Sequence, residues 1–288
     1  MYRNSFNFKI KIMKKIIFPT DFSDISKNAF VYALHLAKNT HSEIVTLHTY
    51  DYPTMNYMDM PVYLPEIYEF TELNQFENYK GHIPVLHDIA MKHDLGHVKI
   101  SNVLESGDLI DNLVALTQKE NAEYIVMGTK GATGLAATFL GSTTERVMND
   151  SNAVVIAIPE DCKYEPIKKI LFITEYKTEE IEVLKRTLAI AKVFHSHVDC
   201  LYVKPIENPV DEAIIHDWKV MFSNQDVSFH CIEMEDKEGL ILEFIPLYHI
   251  NMLAMTTHHR NFFQRIFNIS LSKKLAFHTK IPILAFHA

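Results

Sequence analysis

Short apolar runs bounded by polar or glycine residues recur along the first half of the chain. The clearest occupy residues 14–18, 43–48, 124–127 and 153–158. Short runs of this kind, bounded by turn residues, are typical of strands that are buried on both faces of a parallel sheet. The pattern therefore predicts a buried parallel sheet in this half of the chain.

Two helices are predicted close after these strands. Ser23 can cap a helix that begins near Ile25, because its side chain can accept a hydrogen bond from a free backbone N–H of the first turn. A second helix is predicted to open at Gly141 and Ser142, with residues 145–148 in its first turns. Alternation of strands with helices indicates an α/β fold.

The chain contains an internal repeat. Residues 14–49 align without gaps to residues 168–203, an offset of 154 residues. Residues 127–156 align to residues 255–284 at an offset of 128, so the second copy is 26 residues shorter in its middle. The charged segment 160–166, which ends in a proline, has the composition of a linker.

The repeat predicts two tandem domains, residues 13–160 and residues 166–288. Both lengths fall in the usual range for a domain. We expect each domain to be an open, doubly wound parallel sheet with helices on both faces. The predicted fold class is therefore α/β.

Composition indicates an ordinary globular protein, with 48% hydrophobic and 22% charged residues, which is enough to build two cores. The formal net charge of −8 argues against nucleic acid or an anionic membrane as the main partner, because both require basic surfaces. No run of 18 apolar residues is present, so we expect no transmembrane helix.

The cysteines and the first residues bear on location. The three cysteines lack metal-motif spacing and leave an odd one, which predicts reduced thiols and a cytoplasmic protein. Residues 1–12 are too polar for a signal peptide and lack its cleavage site. Met13, directly before the first strand, is an alternative start, and the preceding residues would otherwise form a disordered tail.

The strand at residues 124–127 is followed by the pattern Gly-x2-Gly-x9-Gly-Ser, formed by Gly128, Gly131, Gly141 and Ser142. A glycine lets a ligand approach the backbone because no Cβ stands in the way. Free N–H groups at a helix start favour an anion. The pattern predicts a phosphate cradle, although it is neither the dinucleotide fingerprint nor the P-loop. Turn geometry alone is the alternative explanation for the glycines.

An acidic residue follows the first predicted strand, which continues into Pro19, Thr20 and Asp21. The end of the first strand is where open α/β sheets bind ligands. This start, the strand at residues 43–48, the glycine pattern and the closing strand that ends at Pro159 together resemble the universal stress protein family. The resemblance covers residues 14–159 and implies that family's fold, which is of the adenine nucleotide alpha hydrolase type.

In the ATP-binding branch of that family, the acidic residue contacts the adenine and ribose side and the glycine loop holds the phosphates. The resemblance therefore implies ATP as a ligand of the first copy and leaves open whether Mg²⁺ accompanies it. For adenosine it implies Pro19, Thr20, Asp21 and Thr49. For the phosphates it implies Met127, Gly128, Lys130, Gly131, Gly141, Ser142, Thr143 and Thr144.

The second copy differs where the chemistry is expected. The residues Gly128, Gly131, Gly141 and Asp21 are replaced there by Thr256, His259, Ile269 and Glu175. The added Cβ atoms would stand where the backbone must approach phosphate. The sequence therefore predicts nucleotide binding by the first copy alone.

We expect an ATP-binding sensor or regulator in stress adaptation, not an enzyme, because the motif places no carboxylate base beside the γ-phosphate. A protein-interaction scaffold that binds little nucleotide and a slow ATP hydrolase are the alternatives. The resemblance also implies an internal pseudo-dimer through the last strands of the two copies, as single-domain relatives form between chains. A homodimer and regulatory protein partners are left open.

Sixteen histidines raise the question of a metal site. His93 and His97 are four residues apart, but Gly96 separates them near a predicted helix end and no third ligand is near in sequence. His195 is the repeat partner of His41, which favours a structural role. We expect no metal site, and no catalytic triad on Ser142, because it lacks a Gly-x-Ser-x-Gly context.

Residues 50–76 are rich in tyrosine, phenylalanine and methionine and are interrupted by Pro53, Pro61 and Pro65. This segment accounts for much of the length difference between the copies. We expect a loop that packs its own aromatic side chains on the adjacent domain. The alternative is a lid over the nucleotide or a surface for a protein partner.

Overall fold

The computed structural model describes residues 13–52, 64–129, 142–207, 209–256 and 280–287. The elements of the first repeat are β1 (Lys15–Pro19), α1 (Asp24–Thr40), β2 (Glu43–Tyr50), α2 (Leu64–Lys92), β3 (Ile100–Ser106), α3 (Leu109–Lys119), β4 (Tyr124–Gly128), α4 (Ser142–Asp150) and β5 (Val154–Ile158). Those of the second repeat are β6 (Lys169–Ile173), α5 (Glu180–Phe194), β7 (His197–Lys204), α6 (Glu212–Met221), β8 (Val227–Glu233), α7 (Lys237–Leu247), β9 (Met252–Thr256) and β10 (Ile283–Phe286).

All ten of these strands belong to one sheet, in the order β3-β2-β1-β4-β5-β10-β9-β6-β7-β8. Neighbouring strands within each repeat run parallel. The last strands of the two repeats, β5 and β10, pair antiparallel with Ile156 opposite Leu284. This is the pairing that the resemblance implies, and it makes the two halves one continuous sheet.

The repeat is visible in the element boundaries. β1 and β2 recur as β6 and β7 at the offset of 154 residues, and β4 recurs as β9 at the offset of 128. The shorter middle of the second copy lies in the crossover between β7 and β8. There α6 has 10 residues where α2 has 29.

Helices cover both faces of the sheet, as predicted. Ile16 and Phe18 of β1 pack in a core with α1, α2, α5 and α6. Ile17, between them, faces the second core, which lies under α3, α4 and α7. Because both faces are covered, the side chains of a strand are buried in both directions, which explains the continuous apolar runs in the sequence.

Helix α1 begins and ends through local interactions, and its end recurs in the second repeat. Ser23 is its N-cap and accepts a hydrogen bond from the N–H of Ser26 at 3.2 Å, as predicted. His41 ends the helix in the left-handed conformation, at φ 54°. Its repeat partner His195 ends α5 in the same way, at φ 55°. The predicted structural role of these two histidines is therefore confirmed.

The predicted loop at residues 50–76 is wrong for its second part. From Leu64 onward the chain is helix α2, and residues 53–63 lie outside the described ranges. Pro65 did not prevent the helix, because it lies in the first turn, where its missing N–H has no intrahelical acceptor. Phe70, Leu73 and Phe76 are 67%, 59% and 51% exposed. These three side chains are therefore not packed against the adjacent repeat.

The linker between the repeats is packed on α1. The side-chain amide of Asn28 donates to the carbonyl oxygen of Cys162 at 2.7 Å. The hydroxyl of Tyr32 donates to the carbonyl oxygen of Lys163 at 2.9 Å. Tyr164 stacks on His35 with ring centroids 3.6 Å apart. The side chains of one face of α1 thus fix the start of the second repeat.

Candidate functional site

The carboxyl ends of β1 and β4 lie side by side, since the two strands are parallel neighbours with Ile17 opposite Ile125. The strands β2 and β3 extend the sheet on one side of β1, and β4 and β5 extend it on the other. The direction in which the chain adds strands to the sheet therefore reverses between β1 and β4. A crevice at such a switch point is the usual ligand site of an open parallel sheet.

Thr20, directly after β1, holds the turn into α1. Its hydroxyl lies 2.7 Å from the hydroxyl of Ser26 and accepts a hydrogen bond from the N–H of Phe22 at 3.1 Å. Its own N–H donates to the carbonyl oxygen of Leu47 on β2 at 2.9 Å. Thr20 is 6% exposed, so its buried side chain holds the backbone at this strand end.

Asp21 lies at the end of the first strand, where the sequence predicts an acidic residue that contacts the ligand. Its carboxylate is exposed. Its Oδ1 accepts a hydrogen bond from the N–H of Ser23 at 3.0 Å. The next residue, Phe22, has φ 59°, a conformation that non-glycine residues rarely adopt. The turn thus presents the Asp21 side chain to solvent while the ring of Phe22 is buried.

Rings that the sequence did not single out support this turn. Phe22 lies 5.3 Å from the ring of His48, 5.8 Å from Tyr79 and 4.8 Å from His82, on which it stacks. The Nδ1 of His48 donates to the carbonyl oxygen of Thr20 at 2.7 Å. The hydrogen on Nδ1 leaves Nε2 as the acceptor nitrogen of the neutral ring.

The predicted phosphate side begins where β4 ends. The carbonyl oxygen of Gly128 accepts a hydrogen bond from the hydroxyl of Thr144 at 3.1 Å. Thr144 is 2% exposed, so this bond ties the first turn of α4 firmly to the end of the strand. The N–H of Thr129 continues the pairing by donating to Ile158 on β5 at 3.0 Å.

The other predicted site residues differ in where the structure places them. Pro19 is buried at the end of β1, and Met127 is 5% exposed with its side chain in the core. Thr49 and Thr143 are half-buried, Thr49 on β2 opposite Glu105 and Thr143 in α4. Ser142 begins α4. Lys130, Gly131 and Gly141 lie outside the described residues.

The corresponding edge of the second repeat is chemically different. Glu175, at the position of Asp21, forms ion pairs with Lys237 at 2.8 Å and with Lys177 at 2.9 Å. Lys237 is the first residue of α7, which follows β8. The ion pair between Glu175 and Lys237 therefore connects the ends of β6 and β8 across β7. At the position of Gly128 stands Thr256, which is 2% exposed. The replacements at His259 and Ile269 lie outside the described residues.

A buried carboxylate also fills the turn of the second repeat. Glu180 stands where the first repeat has Ser26, and it is 1% exposed. Its Oε2 accepts hydrogen bonds from the hydroxyl of Thr174 at 2.7 Å and from the N–H groups of Glu175 and Lys177 at 2.9 and 3.2 Å. The backbone N–H groups at this strand end are therefore already used within the protein.

Within the described ranges, every helix is too short or too polar to cross a membrane. In the same ranges, the histidine, cysteine, aspartate and glutamate side chains form no group of three that could hold a metal ion. All three cysteines are free, and Cys162 and Cys200 are buried.

Comparison with known proteins agrees with this architecture. The profile of the universal stress protein family matches residues 13–159. Universal stress protein MJ0531 of Methanocaldococcus jannaschii is 30% identical over 152 residues, which are 53% of this chain and 85% of the relative. Universal stress protein YxiE of Bacillus subtilis is 25% identical over 149 residues, which are 51% of this chain and 99% of the relative.

A solved structure extends the likeness to both repeats. The crystal structure of a universal stress protein from Archaeoglobus fulgidus covers 95% of this chain and 96% of its own, with a TM-score of 0.64. The sequence identity is 18%, so this likeness concerns the fold. The crystal structure of a protein from Pseudomonas aeruginosa covers 96% of this chain and 93% of its own, with a TM-score of 0.58 at 12% identity.

Proposed function

The chain belongs to the universal stress protein family, and we propose that its first repeat binds ATP, which makes the chain a nucleotide-dependent sensor or regulator in stress adaptation. The observation that carries the proposal is the switch point between the ends of β1 and β4, with the start of α4 fixed beside it. Parallel sheets bind ligands at such points, and helix starts favour phosphate.

The proposed phosphate site is the first turn of α4. The first N–H groups of a helix have no intrahelical acceptor and carry partial positive charge. The bond from Thr144 to Gly128 holds this turn beside the strand end. Thr143, one residue earlier and half-buried, is the hydroxyl that we assign to the phosphates. Gly131 and Gly141 would allow the loop to pass close to the ligand.

The proposed adenosine site is the turn after β1. Asp21 is exposed there, and a carboxylate can accept hydrogen bonds from ribose hydroxyls. The hydrogen bonds of Thr20 to Ser26 and Phe22 hold the turn in one conformation. A preorganised turn lowers the entropy cost of binding, which supports this assignment.

We propose that the second repeat does not bind ATP. Lys237 and Lys177 already pair with the carboxylate of Glu175, so an incoming nucleotide would have to displace them. Thr256 adds a side chain at the strand end where the first repeat has Gly128. The second repeat would then serve as a partner that completes the sheet through β10.

A second candidate function is a protein-interaction scaffold. The exposed side chains of Phe70, Leu73 and Phe76 on α2 favour it, because exposed apolar residues are common at protein interfaces. Regulatory proteins would be the partners in either case. We place the protein in the cytoplasm, on the composition and the cysteine spacing.

In the first test, the purified chain is heated and the released nucleotide is identified by mass spectrometry. We expect an adenine nucleotide. Gly131→Val and Gly141→Ile should each weaken ATP binding at least about tenfold, or about 1.4 kcal/mol, with circular dichroism unchanged. Gly81→Ala is the matched control, since a Cβ at Gly81 in α2 meets no atom within 4 Å. Unchanged affinity in both loop variants would assign the glycines to turn geometry and favour the scaffold.

A further inference from the structure

Three side chains at the starts of β7 and β8 form a chain of hydrogen bonds in the second repeat. The Nδ1 of His197 lies 2.6 Å from Oδ1 of Asp226, and its Nε2 lies 2.9 Å from the hydroxyl oxygen of Ser228. An ionised carboxylate can only accept, so Nδ1 carries the hydrogen. In the neutral ring, Nε2 is then the acceptor of the Ser228 hydroxyl hydrogen. This is the arrangement in which a base activates a serine nucleophile.

The first repeat has different chemistry at the same register positions. Ser101 occupies the place of Ser228, and it donates to Glu43, which also accepts from Lys99 at 2.9 Å. Burial alone would raise the pKa of Glu43, but the hydrogen bonds from Ser101 and Lys99 lower that pKa overall. A carboxylate of low pKa is a poor base for a hydroxyl proton at neutral pH. Ser101 is therefore an internal reference for Ser228.

A second carboxylate lies near the nitrogen that would take the proton. Oδ1 of Asp199, a residue that is 2% exposed, is 3.8 Å from Nε2 of His197 and 2.8 Å from Nε2 of His230. Its Oδ2 lies 3.7 Å from the ammonium group of Lys169 and has no hydrogen-bond partner among the described residues. A buried carboxylate at this distance stabilises the imidazolium that forms when His197 accepts a proton.

Strand β8 supplies a backbone donor beside the serine. It ends the sheet within the described ranges, so one of its edges faces away from β7. The N–H of Val198 donates to the carbonyl oxygen of Asp226 at 3.2 Å. Backbone groups of a parallel strand alternate in direction, so the N–H of Phe229 points to the open edge. An N–H one residue after a nucleophile can stabilise an oxyanion.

We propose that Ser228 is a nucleophile that accepts an acyl group from small esters with a good leaving group. The rings of Phe244 and Tyr248 lie 5.1 and 5.2 Å from the ring of His230, two residues after the serine on the same strand, and we assign the acyl part to this apolar side. Asp226 and Ser228 reach solvent, and the side chain of Asp226 is 74% exposed. The site is independent of the proposed ATP site.

The acylation balances without a further reactant. Ser228 Oγ forms a bond to the ester carbonyl carbon while its proton passes to Nε2 of His197. The carbonyl oxygen becomes an oxyanion that the N–H of Phe229 stabilises. The bond from that carbon to the leaving oxygen then breaks, and His197 returns its proton to the leaving group. A water can later attack the acyl carbon while its proton passes to His197. His197 then gives that proton to Ser228 Oγ as the acyl–Oγ bond breaks, which releases the carboxylic acid and restores the serine.

The experiment treats the full chain with p-nitrophenyl acetate and follows nitrophenolate release together with peptide mapping of acetylated residues. Ser228 should be acetylated at least about tenfold faster than Ser101 in the same sample. His197→Gln should slow acetylation of Ser228 about 100-fold, Asp226→Asn should slow it less, and Ser228→Ala should abolish the acetyl-serine peptide. Ser101→Ala is the matched control and should leave the rate unchanged.

Circular dichroism and thermal unfolding show whether each variant is folded. If His197→Gln does not fold, the ratio of Ser228 to Ser101 in the unmodified chain still decides the question. Equal rates at Ser228 and Ser101, no acetyl-Ser228, or a folded His197→Gln variant with an unchanged rate would each overturn the proposal.

Discussion

The hydroxyl of Thr144 donates to the carbonyl oxygen of Gly128 across 3.1 Å, and this bond joins the first turn of α4 to the end of β4. The residues between them contain the predicted phosphate loop. The bond therefore sets the distance that this loop must span. In the proposed site Thr144 has a structural role, whereas its neighbour Thr143 has a binding role.

Substitution of these two threonines should separate the two roles. Thr144→Val removes the donor to a buried carbonyl and should lower the free energy of unfolding by about 1 kcal/mol, measured by urea denaturation. Thr143→Val should change that free energy by less than about 0.5 kcal/mol. It should nevertheless weaken ATP binding about tenfold, because a hydrogen bond to a charged phosphate is lost. The opposite pattern would exchange the roles of the two residues.

Asp21→Ala should weaken ATP binding by about 1.5–3 kcal/mol, the value of a hydrogen bond to a charged group. Isothermal titration calorimetry measures the change directly. Asp24→Ala is the matched control, since Asp24 lies three residues away with a side chain that is 99% exposed. Equal losses in both variants would indicate a general charge effect, and no loss in Asp21→Ala would move the nucleoside elsewhere.

The bound ATP should survive prolonged incubation. Phosphoryl transfer requires a positioned nucleophile and strong charge neutralisation at the γ-phosphate. The predicted loop offers one cation, Lys130, together with hydroxyl groups, and the motif places no carboxylate beside the γ-phosphate. We expect hydrolysis far below the typical enzyme rate of about 10 per second, measured by phosphate release. Steady turnover that disappears in Gly131→Val would instead identify an ATPase.

The linker that packs on α1 should make the fold sensitive to acid. Burial, together with the charges of His93 and Lys38, lowers the pKa of His35 to about 4. Between pH 6.5 and 4 the unfolded chain therefore takes up a proton that folded His35 does not. This difference in proton uptake has no effect on the free energy of unfolding above pH 6.5. Below pH 6.5 it lowers that free energy by at most about 1.4 kcal/mol per pH unit.

His35→Phe keeps a ring to stack on Tyr164 and removes the titrating group. Its free energy of unfolding should fall less between pH 7 and pH 4.5 than that of the unmodified chain. His216→Gln, at an exposed position on α6, is the control and should behave like the unmodified chain. Parallel pH profiles for His35→Phe and the unmodified chain would show that another group governs acid stability.

The sequence was sufficient for the elements that depend on local patterns. The apolar runs predicted β1, β2, β4 and β5, and Ser23 predicted the start of α1. These features follow from burial on both faces of a sheet and from capping, which involve neighbouring residues. The offset between the repeats also predicted where the second copy is shorter.

The features that the sequence did not predict depend on register between distant segments. Lys237 pairs with Glu175 across 62 positions of the chain, and His197 meets Ser228 across 31. Sheet order brings these side chains together, and no local spacing indicates it. The ring cluster around Phe22 likewise requires α2 to place Tyr79 and His82 over the turn. The loop predicted over residues 50–76 was wrong from Leu64 onward, because a proline in the first turn does not stop a helix.

The most direct test of the account is calorimetric titration of the full chain with ATP, in three forms. The unmodified chain should bind one ATP. Gly141→Ile, which copies the second repeat into the first, should weaken binding at least about tenfold. Glu175→Gln, which removes the carboxylate from the second repeat, should leave both affinity and stoichiometry unchanged. Two equivalent sites, or binding that depends on Glu175 and not on Gly141, would contradict nucleotide binding by the first repeat alone.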